Sequence, residues 1–441
     1  MMSTSRPAAC GAPSPAPGQW WRLSLTILLS GVAAGLIGIS MAYLLEGFEW
    51  LFYGVRDGSL PQRVTEAATW RRVLAPAAGG LVAGSLWWWE RATGGVVSVE
   101  RTVEDTSLDS ARRMGILRPF ADAVLQVLTV GSGNSVGREG APRLAAGAVA
   151  SRVSLALRVD VEWVPVLVAS AAGAGLAAMY NAPLGGAAYA VEIVMLASTR
   201  AGRGVRAPAL AVVISVLATV VSWLHSHGAA SLSMPRAPLA GADLLAAVVV
   251  IPTAALAGWG ARSLWGWFKA HRLPDSWTLP LAIGGAGLLT GTASLWLAEL
   301  PGNGKDAFQA ALTSPATGTA LVALAGVIVL KPLLTGVTLG AGATGGLLAP
   351  SFALGSSVGA GLAGLAHLAG ADVSVAAMAV LGGGVVLAVT QKAPVFAALF
   401  IWELPHAPLW LLPVLLIGTT SAVAVTTWLP GRRADARLHR A

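Results

Sequence analysis

Apolar stretches separated by short polar ones run along the whole chain. They fall near residues 22–45, 73–89, 119–131, 144–157, 163–179, 183–198, 207–226, 242–267, 278–298, 316–340, 346–368, 373–390, 394–404 and 408–428. Three reaches, Trp163–Val191, Pro332–Ala371 and Leu404–Gly431, carry no Asp, Glu, Lys or Arg. A helix crosses the hydrocarbon core of a bilayer with about 20 apolar residues. The pattern therefore predicts an all-α polytopic membrane protein. Some stretches are under 15 residues or are broken by Gly and Pro. These predict broken or re-entrant helices, which survive at membrane depth only where they line a cavity or pack inside protein. Polar loops are expected at 47–72, 90–118, 199–206, 227–241, 268–277 and 299–315. The domain reading is a disordered tail at 1–19, one membrane domain at 20–430 and a basic tail at 431–441.

Composition strengthens this picture. The 29 Lys and Arg plus 21 Asp and Glu make 11% of 441 residues, against about 25% in soluble domains. Mean hydropathy is +0.69, with 53 glycines. A disordered chain is excluded and a soluble multidomain enzyme is disfavoured. The 17 Trp outnumber the 8 Phe and 4 Tyr together. Trp20, Trp21, Trp87, Trp88, Trp89, Trp163, Trp265, Trp267 and Trp428 flank apolar runs, as interfacial belts do. The net charge is +8. Its carriers sit in a loop (Arg200, Arg203, Arg206) and at the end (Arg432, Arg433, Arg437, Arg440), which reads as positive-inside topology rather than nucleic-acid binding. The one cysteine, Cys10, excludes internal disulfides and cysteine-built metal sites. No cofactor is expected.

The chain also repeats itself. Asn181-Ala-Pro-Leu-Gly-Gly-Ala-Ala-Tyr-Ala-Val-Glu192 matches Lys392-Ala-Pro-Val-Phe-Ala-Ala-Leu-Phe-Ile-Trp-Glu403, with Glu nine residues after Pro in both. Upstream, Gly137-Arg-Glu-Gly-Ala-Pro142 pairs with Gly345-Gly-Leu-Leu-Ala-Pro350, and each has a glycine five residues on, at Gly147 and Gly355. Pro142 to Pro183 spans 41 residues and Pro350 to Pro394 spans 44. Paired broken segments in two halves of a membrane protein point to a substrate site at the repeat interface.

Both Gly/Pro motifs precede apolar runs. Glycine permits close backbone approach, and proline suits a helix's first turn. Each motif therefore predicts a helix start, whose free N–H groups and positive dipole end attract anions. Two such starts facing each other would bind a small anion without a full positive charge, which suits release. Glu139 stands out. A carboxylate in an anion-binding turn competes with the anion and can carry a proton, and an ionisable residue at membrane depth is functional by default. The plainer alternative is an Arg138–Glu139 pair capping the helix.

Gly137-Arg-Glu-Gly-Ala-Pro142 resembles the GREGP signature of the CLC chloride channels and chloride/proton antiporters. Gly346-Leu-Leu-Ala-Pro350 resembles that family's GxFxP motif, and the two Ala-Pro segments resemble its helices after each motif. The likeness runs from about residue 90 to 428. It implies an inverted repeat of about eighteen mostly tilted or broken helices, with copies near 70–225 and 240–430. It implies a homodimer with one anion pathway per subunit, in a bacterial cell membrane. Glu139 is then the gating and proton-exchanging residue. Gly137, Arg138 and Gly140, with Gly346, Leu347 and Leu348, are then the anion-binding residues.

Three departures qualify the resemblance. The family's GSGIP motif corresponds here to Gly95-Val-Val-Ser-Val99, so Val96 takes the serine's place and Ser98 is two residues out of register. No tyrosine follows Tyr189, so a family contact from a C-terminal tyrosine is absent. The usual glutamate pair after the first Ala-Pro reads Glu192-Ile193, so the internal proton-transfer position is isoleucine. Glu192, about 100° away around the helix, is the nearest substitute for a proton path, with a structural helix-end carboxylate as its alternative; Asp122 and Glu403 are further candidates for which the structural reading is the stronger. Lys331 and Lys392 flank apolar runs, where snorkelling or pairing is expected. Chloride is the expected ion and fluoride the alternative, as antiport or passive conduction. More remote readings are a non-transporting anion sensor, or an intramembrane hydrolase using serines in Gly131–Ser135 with one of His225, His227, His367 or His406.

Overall fold

The structure is a computed structural model that describes residues 18–105, 107–196 and 206–428. Residues 1–17 with Cys10, the loop arginines Arg200 and Arg203, and the tail at 431–441 lie outside the described residues. Eighteen α-helices and no strand occur among the described residues. The first six are α1 (Trp20–Tyr53), α2 (Leu60–Glu66), α3 (Thr69–Ala92), α4 (Val99–Glu104), α5 (Asp109–Met114) and α6 (Leu117–Gly131). Next come α7 (Gly140–Ala156), α8 (Val164–Tyr180) and α9 (Pro183–Tyr189), which runs into a π-helical turn at Ala190–Met195, then α10 (Arg206–Ser226). The second half holds α11 (Gly241–Ala270), α12 (Leu279–Ala293), α13 (Lys305–Leu312) and α14 (Gly318–Gly340). It closes with α15 (Leu348–Leu368), α16 (Val375–Gln391), α17 (Pro394–Glu403) and α18 (Leu411–Trp428).

Each apolar stretch of the sequence became a helix. The four helices hidden in expected polar loops, α2, α4, α5 and α13, have six to eight residues each. Helices so short are marginal alone and exist by packing. Six helices, α1, α10, α11, α14, α15 and α18, are long and apolar enough to cross a membrane. Four of these, α10, α11, α14 and α18, leave about three-fifths or more of their apolar window unburied, with Val248 70% and Ile417 69% exposed; α1 comes closer to half. The exception is α15, which is 83% buried over its apolar window. It lies inside with α7, α8 and α16, and in α8 and α16 almost every residue is enclosed. A helix wrapped by protein on all sides has no polar face, which accounts for the long charge-free reaches.

The tryptophan belt needs correction. Trp87, Trp163 and Trp265 are buried rather than interfacial. Trp87 donates to Asp122 at 2.7 Å and Trp265 to the Pro332 carbonyl at 2.9 Å. A buried indole N–H settles where it finds an acceptor, and spacing along the chain does not reveal one.

The sequence repeat is a repeat of backbone geometry. Helix α8 ends at Asn181 in the left-handed region (φ 52), Ala182 follows at φ −131, and Pro183 opens α9. Helix α16 ends at Lys392 (φ 57), Ala393 follows at φ −133, and Pro394 opens α17. Upstream, the two glycine motifs meet in an antiparallel bridge between Gly137 and Gly346. The two motifs therefore run in opposite directions where they touch.

Candidate functional site

Glycine creates the meeting point. The Gly137 N–H donates to the Gly346 carbonyl at 2.9 Å, and the Gly346 N–H to the Gly137 carbonyl at 2.7 Å. A β-carbon at Gly137 would lie 2.6 Å from the Gly346 carbonyl oxygen, so only glycine lets the two turns close. These two amides, expected to face an anion, are instead committed to each other. What the two residues offer a ligand is close access to backbone. The turns lead into α7 and α15, which begin at Gly140 and Leu348. The amides of Gly140 and Leu348, with those just before them at Arg138, Glu139 and Leu347, are helix-start donors without an intrahelical acceptor. Two positive dipole ends thus converge on one seam.

Glu139 fills that seam. It is fully buried, and its Oε1 accepts from the Tyr180 hydroxyl at 3.0 Å and from Asn303 Nδ2 at 3.5 Å. Asn303 also donates to the Tyr180 oxygen at 3.1 Å. The other carboxylate oxygen, Oε2, has no hydrogen-bond partner. It lies over the α-carbons of both glycines, and a β-carbon at Gly346 would come within 2.6 Å of it. Native proteins rarely leave a buried polar atom unpaired, and Oε2 is one that faces the two glycines.

Sequence reasoning missed Tyr180 and Asn303. Tyr180 carries a faint signal, since it directly precedes the repeated Asn-Ala-Pro. Asn303 reaches Glu139 across 164 positions and carried none. Lys331 also departs from expectation. It neither snorkels nor pairs with a carboxylate, but is fully buried and donates to the carbonyls of Leu300 and Gly302 at 2.6 and 2.7 Å. It pins the loop that brings Asn303 to Glu139. The hydrogen bonds to the Glu139 carboxylate come from Tyr180 and Asn303, not from Arg138. Arg138 lines a cavity of about 370 Å³ shared with Glu49, Asn303, Lys305 and Asp306. Its Nε and Nη1 have no hydrogen-bond partner, so the carboxylate is held by Tyr180 and Asn303 rather than by an Arg138 cap.

The other candidates separate. Val96 is half-buried against the core, and Ser98 caps α4, its Oγ accepting from the Arg101 N–H at 3.2 Å. Asp122 serves Trp87 and Gln126, and the Ser135 hydroxyl shares its hydrogen bond with Thr335. Glu192 and Glu403 explain the repeated glutamate. Glu192 accepts from the N–H groups of Phe396 (2.6 Å) and Val395 (3.3 Å) at the start of α17. Glu403 accepts from Leu184 (3.0 Å) and Gly185 (2.7 Å) at the start of α9. Each copy's carboxylate caps the other copy's helix. Hydrogen bonds to a charged group contribute about 1.5–3 kcal/mol. Glu403→Ala is expected to destabilise the protein by about that much, and Glu192→Ala, at a more open site, by less. Thermal unfolding in detergent reads the difference.

The comparisons point one way. The family model described as Voltage gated chloride channel matches residues 79–427. The voltage-gated ClC-type chloride channel ClcB of Citrobacter koseri is 31% identical, over 90% of this chain and 95% of its own length. Its counterpart in Salmonella typhi is 29% identical over 93% and 97%. Among solved structures, a slow cyanobacterial Cl-/H+ antiporter aligns with a TM-score of 0.76 at 24% identity, over 97% of this chain and 98% of that one. A CLC-type fluoride/proton antiporter aligns with a TM-score of 0.69 at 19% identity, over 94% and 97%.

Proposed function

The chain belongs to the voltage gated chloride channel family, and from that premise we propose that it carries a small inorganic anion, chloride first, across the membrane through the seam between α7 and α15. Glu139 is the gate and the group that exchanges protons. The observation behind this is the unpartnered Oε2 over Gly137 and Gly346. A carboxylate oxygen sits where two helix starts converge, so it holds the place of the anion.

The cycle follows from charge. The ionised carboxylate competes with an anion for the same helix-start amides, at Arg138, Glu139, Gly140, Leu347 and Leu348. Protonation removes the negative charge, and with it the attraction to the dipole ends. The side chain then leaves the seam and an anion takes its place. Tyr180 and Asn303 hold Oε1 and define the closed position. No substrate bond is made or broken. Val96 in place of a serine and Ile193 in place of a glutamate weaken the inner anion site and the internal proton path. Chloride is favoured over fluoride because the ClcB relatives at 29% and 31% identity are named as chloride channels, while the fluoride antiporter shares the fold at 19% identity. The two repeat copies near 70–225 and 240–430, and pairing of subunits into a homodimer, belong to this reading.

The test is paired chloride and proton flux from purified protein in liposomes, with the potential clamped by valinomycin. Chloride efflux is the expected result, and its absence overturns the proposal. Proton uptake driven uphill by a chloride gradient identifies an antiporter; chloride flux alone identifies passive conduction, with Ile193 as the reason.

A further inference from the structure

Arg143 has no part in the cycle above, yet it is the next charged residue on the same helix. It follows Glu139 by four positions and so lies on the same face of α7, one turn on. Its Nη2 donates to Glu100 Oε1 at 2.9 Å, and its guanidinium carbon stands 4.4 Å from the centroid of the Tyr189 ring. Its Nε is buried with no hydrogen-bond partner. Glu100 lies in the first turn of α4, directly after the turn that holds Val96 and Ser98. The Arg143 side chain is 17% exposed and that of Glu100 is 47% exposed. Neither lines the cavity at Arg138, so this pair marks a different approach to the Glu139 face of α7.

Arg143 is the fourth residue of α7, and a charge held largely buried in that first turn is costly and implies a use. The ion pair itself does not supply one. Half-exposed pairs are weak, at most about 1 kcal/mol, and Glu100 engages one of five guanidinium donors. We propose that Arg143 is a second anion ligand on the pathway, and that Glu100 is its tethered competitor, displaced when an anion arrives. This rests on reading the seam as the pathway. It gives the chain a donor beside the turn where Val96 replaces a serine. It also meets the objection that an arginine holds an anion too tightly, because the carboxylate stands ready to take the anion's place. The ligand class is a small monovalent anion. Nitrate, whose planar oxygens fit the guanidinium fork, should compete well with chloride.

The experiment measures the half-saturating chloride concentration for flux in liposomes, using full-length wild type, Glu100→Gln, Arg143→Gln, Arg143→Lys and the Glu100→Gln/Arg143→Gln double variant. Removing the competitor should lower the half-saturating concentration about two- to fivefold, the equivalent of a weak ion pair. Arg143→Gln should raise it, and in the double variant should cancel the gain from Glu100→Gln. Arg143→Lys should retain chloride but lose the nitrate competition that depends on the fork. Equal values for wild type and Glu100→Gln overturn the inference even if Arg143→Gln fails to fold. Equal values for wild type and Arg143→Gln overturn it as well. A wild-type protein that passes no anion instead sinks the transport reading itself, so the two failures are distinct.

Discussion

Liposomes carrying Glu139→Ala should pass chloride at a rate that does not change with pH, and should move no protons against a gradient. Wild-type flux should rise as pH falls. The sign follows from the competition in the seam: the ionised carboxylate excludes the anion, and each protonation event admits one. For one titrating proton the rise is limited to about tenfold per pH unit. Removing the side chain removes both the competitor and the proton. Glu139→Gln should behave alike, because the amide cannot ionise. The supporting geometry is specific, with Oε1 anchored by Tyr180 and Asn303 and Oε2 unpartnered over the two glycines. A Glu139→Ala protein that kept the wild-type pH profile would remove Glu139 from the gating role.

Gly137→Ala should have the opposite effect on conduction. Its new methyl group would meet both the Glu139 carboxylate and the Gly346 backbone, whose carbonyl carbon would be 2.8 Å away. The two cross-seam hydrogen bonds of 2.9 and 2.7 Å cannot survive that contact. Each contributes about 1 kcal/mol, and the helix starts they align lose their common focus. Chloride flux should fall at least about tenfold, the loss that follows from about 1.4 kcal/mol, while the protein still elutes as a folded species. The Gly137→Ala/Glu139→Ala double variant separates two causes. Flux that stays low shows that the seam backbone matters. Flux restored to the Glu139→Ala level shows that the methyl group acted only by trapping the carboxylate.

Much of the fold can be read from the chain because it is written locally. Apolar stretches became helices, and the Ala-Pro repeat became the same left-handed cap, alanine link and proline start in both copies. Glu139 was legible for the same reason, as a charge inside a Gly/Pro helix start. What could not be read depends on contacts distant in sequence. Tyr180 reaches Glu139 over 41 positions and Asn303 over 164. The caps from Glu192 and Glu403 join segments more than 200 positions apart. Trp87 and Trp265 flank apolar runs as interfacial residues do, yet an acceptor on another helix draws each inward. Lys331 shows the same limit, since the two carbonyls that satisfy it lie in a loop about 30 residues earlier.

The most direct test asks what occupies the seam. Crystals of Glu139→Ala grown in bromide, with the ion located by anomalous scattering, should show bromide over Gly137 and Gly346 where Oε2 stood, against the amides that open α7 and α15. Wild-type crystals at neutral pH should show the carboxylate there and no ion. Bromide bound elsewhere in the variant, with the seam closed and ion-free, would contradict the assignment of Glu139 as a stand-in for the transported anion.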